Sequence, residues 1–181
     1  DGDASSVVTF AFSEAPGASF TESDIQVSTG LSLVGGSLSQ VDATHYTATF
    51  VAPDGIQINN ASVSVIGGSY HDINGKLGLG ASTTFTVDTL APGVSIHTDD
   101  SDLRIGDVAH LTFTLDEPAT NFTVDDISLT GGTLSNFAGS GATYTADFTP
   151  SPKSTAPATI DVAGATFTDA AGNDNAAAPQ L

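Results

Sequence analysis

The two halves of this chain repeat one another at a spacing of about a hundred residues, the size of a small domain. Phe12-Ser13-Glu14, Phe20 and Ser23-Asp24-Ile25-Gln26-Val27 return as Leu115-Asp116-Glu117, Phe122 and Asp125-Asp126-Ile127-Ser128-Leu129. Gly35-Gly36-Ser37-Leu38 returns as Gly131-Gly132-Thr133-Leu134, and Tyr46-Thr47-Ala48-Thr49-Phe50 as Tyr144-Thr145-Ala146-Asp147-Phe148. The parallel closes with Ser69-Tyr70-His71-Asp72-Ile73-Asn74-Gly75 against Thr166-Phe167-Thr168-Asp169-Ala170-Ala171-Gly172-Asn173. A repeat this long makes an array of modules, not a solenoid of short units. Acidic residues recur along with apolar ones, which points to a site used once per module.

Within each copy, short runs alternate apolar and polar residues. The first has Val7 to Phe12, Ile25 to Val27, Tyr46 to Phe50, Ala61 to Val65 and Thr84 to Val87. The second has Val94 to Ile96, His110 to Leu115, Ile127 to Leu129, Tyr144 to Phe148 and Ala158 to Val162. Period two, β-branched enrichment and Gly, Asn, Asp and Pro punctuation predict half-buried strands. Several such strands per module, with no sustained helical period, predict an all-β chain of two tandem Ig-like antiparallel β-sandwich modules. The boundary falls at Asp88-Thr89-Leu90-Ala91-Pro92, where a strand ends and proline stiffens the joint, so the modules are residues 1–88 and 89–181. Strand counting predicts that the first strand of the first module and the last strand of the second are absent, leaving exposed edges.

Charge sets limits on partners. Against 21 acidic residues stand only Lys76, Arg104 and Lys153, for a net charge of −18 over 181 residues. Nucleic acid is excluded as a partner, since no basic surface exists to displace phosphate counterions. Anionic lipid is disfavoured likewise, and no apolar run is long enough for membrane insertion. Without cysteine there is neither a disulfide nor a thiolate metal site.

The acids concentrate in loops. If strands A to G alternate up and down, the B–C and F–G loops of a module share the pole at which its linker enters. In the second module that pole collects Asp116, Glu117, Asp125 and Asp126 from B–C, Asp169, Asn173 and Asp174 from F–G, and Asp88 from the linker. Oxygens gathered in this way repel one another without a counter-ion. Ca²⁺ accepts six to eight such ligands in irregular geometry, whereas Mg²⁺ demands a stricter octahedron. The expected ligands are Asp88, Glu117, Asp126 and Asp169, with Asn173 and Asp125 next. The first module repeats part of the set as Glu14, Asp24, Asp72 and Asn74 and is expected to hold a weaker site. Asp and Asn also make turns, and Asn74-Gly75 is an ordinary hairpin signal.

Other motifs give less. Asp99-Asp100-Ser101-Asp102 with Asp107 fails the EF-hand pattern, because Leu103 and Arg104 fall at ligand positions. The four histidines occupy different places in the two copies, and no metalloprotease, nucleophile-elbow or phosphate-loop motif appears. The chain reads as a non-enzyme.

Taken together, Phe12-Ser13-Glu14, the Phe20 to Ile25 segment, Gly35-Gly36, Tyr46 to Phe50, Asp169-Ala170-Ala171-Gly172-Asn173 and Val87 to Pro92 resemble the bacterial Ig-like repeats of large cell-surface adhesins and biofilm-associated proteins, including RTX-type adhesins. The resemblance covers essentially the whole chain. The first copy departs from it where Asp72-Ile73-Asn74-Gly75 replaces Asp-Ala-Ala-Gly-Asn. The resemblance implies an extracellular protein, secreted or on the bacterial surface, whose modules stack as an extender stiffened by Ca²⁺ between domains. The implied partners are neighbouring modules of the same chain, with homophilic contact through edge strands as a further route. The alternative is a recognition module for a glycan or protein receptor; the lack of Trp weighs against sugar stacking.

Overall fold

The computed structural model describes residues 5–153 and 156–181. The chain divides into two compact units that meet at Leu90 and Ala91. Each unit is built from antiparallel strands and short 3₁₀ turns. Among the described residues no helix is long and apolar enough to cross a membrane.

In the first unit one sheet runs β1 (Ser5–Ala11), β5 (His45–Val51), β3 (Ser32–Leu33), with β4 (Ser39–Gln40) also on β5. The other runs β2 (Ile25–Val27), β6 (Gln57–Val65), β7 (Ala81–Asp88). Alternation decides the inner faces: Tyr46, Ala48 and Phe50 of β5 are buried, as are Ala61, Val63 and Val65 of β6. Successive side chains of a strand point to opposite faces, so this pattern closes one core between the two sheets. Phe10, Phe20 and Tyr70 join it, with Phe20 and Tyr46 edge to face at 5.3 Å.

The second unit repeats the plan. One sheet runs β11 (Gly132–Ser140), β12 (Thr143–Pro150), β9 (Ala109–Leu115), β8 (Val94–Thr98); the other pairs β10 (Ile127–Thr130) with β13 (Thr159–Val162). Its core includes Leu111, Phe113 and Leu115 of β9, Phe148 of β12, Val162 of β13 and Phe167. Residues 178–181 run beside β13: the Ala178 N–H donates to the Val162 carbonyl, and Leu181 and Ile160 exchange backbone bonds. They take the place that β7 holds against β6 in the first unit. β8 pairs with β9 from Val94↔Leu115 to Thr98↔Leu111. The equivalent edge of β1 carries no strand among the described residues.

The all-β, two-module reading of the sequence is borne out. The structure adds β3, β4 and β11, which the period-two search passes over. β3 and β4 are two residues each. β11 breaks its register between Ser135 and Ala138, with Asn136 at φ 53°. A bulge of this kind puts neighbouring residues out of phase and erases the alternation.

Candidate metal-binding pole

Each unit launches its β2 or β10 strand from a one-turn 3₁₀ helix, Glu22–Asp24 or Val124–Asp126, closed by a capping box. In both, one carboxylate oxygen of the third residue accepts the Thr N–H at 2.7 Å and the Thr hydroxyl at 3.1 Å: Thr21 with Asp24, Thr123 with Asp126. Such a cap satisfies backbone donors that the helix leaves open. The recurrence of Asp24 and Asp126 thus has a role in the turn itself. Asp125 projects from the same turn and is exposed.

Asp169 is also bound to its loop. Its Oδ1 accepts the N–H groups of Ala171, Gly172 and Asn173 at 2.8, 2.8 and 2.9 Å, and its Oδ2 accepts Asn173 Nδ2 at 2.9 Å. Gly172 allows the tight return by taking φ 92°. Burial pushes the Asp169 carboxyl up, but the Asn173 amide and the three backbone donors outweigh it and hold it below the usual carboxylate range.

The loop is fixed in turn by a residue that sequence reading passed over. Buried Asn175 accepts the Thr166 and Phe167 N–H groups on Oδ1 at 2.8 and 3.0 Å and donates from Nδ2 to the Ala163 and Ala176 carbonyls, both at 2.8 Å. The B–C loop docks against this frame through the Ala119↔Asp169 bridge, Thr120 N–H to the Thr168 carbonyl at 3.1 Å, and Thr168 N–H to Asn121 Oδ1 at 2.8 Å. As a result, a carboxylate oxygen of half-buried Glu117 lies within 4.8 Å of one of buried Asp169. Glu117 Oε1 is shielded from solvent.

Asp116 faces the incoming chain. Its Oδ1 accepts the Gly93 N–H at 2.6 Å, its own N–H donates to the Gly93 carbonyl at 3.2 Å, and Ala176 N–H donates to the Pro92 carbonyl at 3.0 Å. Residues 92 and 93 are therefore tied to the pole of the second unit. Asp88 ends β7 in the first unit, where Oδ2 accepts Gln57 Nε2 at 2.8 Å and Oδ1 accepts the Leu90 N–H at 3.2 Å.

The first unit repeats the Asp169 loop with a substitution at its tip. Asp72 Oδ1 accepts the Asn74 and Lys76 N–H groups, both at 2.8 Å, over Gly75 at φ 81°. Asp72 N–H donates to the Lys76 carbonyl as Asp169 N–H does to that of Asn173. Lys76, not Asn74, is therefore the counterpart of Asn173, and Asn74 is exposed. The Asp72 carboxyl lies below its usual range, chiefly through the Lys76 backbone N–H; burial opposes this, and the Asn74 N–H, the Glu14 side chain and the Lys76 charge add to it. Glu14 and Asp72 line one pocket together with Lys76 and Tyr70.

The candidate donors in the second unit are all oxygens, the carboxylates of Glu117 and Asp169, while the Asn173 amide nitrogen donates to Asp169. That chemistry suits a hard cation such as Ca²⁺ and is unsuited to soft or borderline metals that favour sulfur and imidazole. The expected ligands thus fall into two groups. Glu117, Asp169 and Asn173 share one pole, whereas Asp24 and Asp126 each give one oxygen, Oδ2, to a cap.

No protein of curated function matches the chain in sequence. The family described as the bacterial Ig-like domain matches it twice, over residues 1–87 and 88–180. Two sandwiches with the same strand plan and the same paired loops agree with that match, and the chain belongs to the bacterial Ig-like domain family as a tandem pair.

Proposed function

We propose that this chain is a pair of extender modules from a bacterial surface adhesin, supporting cell attachment or biofilm formation outside the cell, and that Ca²⁺ stiffens the joint between the modules. The carrying observation is the Glu117–Asp169 pair, with carboxylate oxygens within 4.8 Å on loops fixed by Asn175 and Asn121. Two like charges held so close repel each other, and a divalent ion turns that repulsion into attraction. Asp88 is the third ligand in this reading. Because Pro92 is tied to the second unit, Asp88 lies four residues from a fixed point, within about 14 Å even of fully extended chain. Asn173 supplies an amide oxygen if its side chain turns, and water completes the shell. An ion held by ligands from both sides of a short linker removes the freedom of Leu90 and Ala91. A hinged, self-repelling pair then becomes a stiff one.

Calorimetric titration with CaCl₂, paired with small-angle X-ray scattering, tests this. One tight site per chain is expected, lost in Asp88→Asn and in Glu117→Gln, with chelator making the scattering profile more flexible. Retained affinity in both variants, or scattering unchanged by chelator, overturns the reading.

A further inference from the structure

The first unit builds the same turn as the Asp169 loop but places a cation on it. In the second unit the residue that exchanges backbone bonds with Asp169 is Asn173. Its N–H donates to Asp169 Oδ1 at 2.9 Å, and its carbonyl accepts the Asp169 N–H at 3.2 Å. In the first unit Lys76 makes both bonds with Asp72, at 2.8 and 2.9 Å. Lys76 is the one lysine or arginine among residues 1–90. The acid pair is repeated as well. Glu14 and Asp72 are the counterparts of Glu117 and Asp169, and they line one pocket with Lys76. The Glu14 side chain interacts with the Asp72 carboxyl, and the Lys76 charge acts on the same carboxyl. No lysine or arginine stands in residues 116–126 or 166–175, the loops that bring Glu117 and Asp169 together. The two poles thus share a carboxylate pair and differ in the charge at the turn position beside it.

We propose that in the first unit the Lys76 ammonium is the counter-ion of the Glu14–Asp72 pair and excludes the divalent ion that the second unit's pole takes up. This rests on reading the Glu117–Asp169 pole as a calcium site, and it assigns calcium dependence to one unit of the two. A lysine carries a compact charge on a flexible four-carbon stem, so it follows its carboxylates without having to be captured from solution. Ca²⁺ entering beside it meets a like charge and finds its first two ligands already partly neutralised. The ion also loses a ligand, because an ammonium has three donors and no acceptor where Asn173 carries an amide oxygen. The residues expected there as a weaker calcium site therefore fit the ion poorly: Asp24 gives one oxygen to a cap, Asn74 is exposed, and Lys76 stands beside Glu14 and Asp72. Exposed Lys76 adds little stability by itself. Its effect is selectivity, since the first pole stays compensated with or without calcium.

The test follows the side-chain carboxyl resonances of Glu14 and Asp72 by NMR while CaCl₂ is added to the full chain carrying Glu117→Gln, which removes the second unit's carboxylate pair. With Lys76 present, no saturable shift is expected below about 1 mM Ca²⁺, the weak end for extracellular calcium modules. Lys76→Asn supplies the amide of the second unit and keeps the backbone N–H that holds Asp72. It should bind Ca²⁺ about tenfold more tightly than Lys76→Arg, which keeps the charge. Submillimolar uptake with Lys76 in place, or equal affinity in the Asn and Arg variants, overturns the proposal. So does a pole that stays empty in Lys76→Asn, because the lysine charge is then not what excludes the ion. A chain with Glu117 intact that takes up no calcium overturns the extender reading instead, and leaves these first-unit comparisons readable.

Discussion

Asp169 spends most of its bonding capacity on its own loop. Three backbone N–H groups converge on one oxygen and the Asn173 amide takes the other. Asp169→Ala strips those donors of their acceptor in a buried turn, a loss of about 1–3 kcal/mol. The expected result is a lower urea midpoint with the slope unchanged, even with chelator present, and that separates its structural role from any ion. His110 and Asp147 form a second charged pair, facing each other across β9 and β12 with Nδ1 and Oδ1 2.6 Å apart. The Asp147 side chain raises the His110 pKa, while Asn136 first and His110 second lower that of Asp147. A raised histidine contributes fully below its unfolded value, about 6.5, and the contribution fades as pH rises through its folded value. A lowered carboxylate contributes above about 3.9 and fades as pH falls through its folded value. The pair therefore stabilises most between those limits. NMR titration should place His110 above the ordinary histidine value of about 6.5, and Asp147→Asn should lower it. The sequence named the acids of both loops, but not which of them are consumed by the backbone. Asp24 and Asp126 carry the same one-letter code as a ligand, and only the bonds to Thr21 and Thr123 reveal a cap. Likewise the sequence offered Asn74 for the first module's site, and the hydrogen-bond pattern of the turn puts Lys76 in the place of Asn173.

At the scale of elements, strand identity was legible wherever alternation ran unbroken. β5 and β9 bury every second residue, and their sequences say so. β11 was not legible, because its bulge at Asn136 and its glycines remove the period. Close approach of elements was hidden as well. Gly78 passes directly over Tyr70, where an added Cβ would lie 2.0 Å from Tyr70 Cζ. Tyr70 is held by Phe12 and Phe20 with ring centroids at 5.2 and 5.8 Å, and its hydroxyl donates to the Leu79 carbonyl at 3.0 Å. Gly78→Ala therefore forces the ring or the loop aside, at about 1–3 kcal/mol for overpacking. Thermal melting of residues 1–181 should show a lower transition for the first unit. Replacing exposed Gly36, whose Cβ would meet nothing, offers the contrast of a backbone-strain cost alone at φ 79°.

For the whole molecule, two independent cores and a net charge of −18 frame what the chain can be. Like charges at this density repel one another, and that repulsion is the basis of the proposed calcium reading. The repeat established by itself that there are two modules, that both are all-β, and that acids concentrate in the same loops of each. Periodicity and self-similarity are local or internal properties, so a string of residues carries them in full. The tertiary structure decided which acids meet. Glu117 and Asp169 become neighbours only because Asn121 and Asn175 fasten two distant loops, and Glu14 comes to line one pocket with Asp72 only when the first unit folds. Both depend on contacts between residues far apart in the chain, and no spacing in the sequence encodes the distance between them.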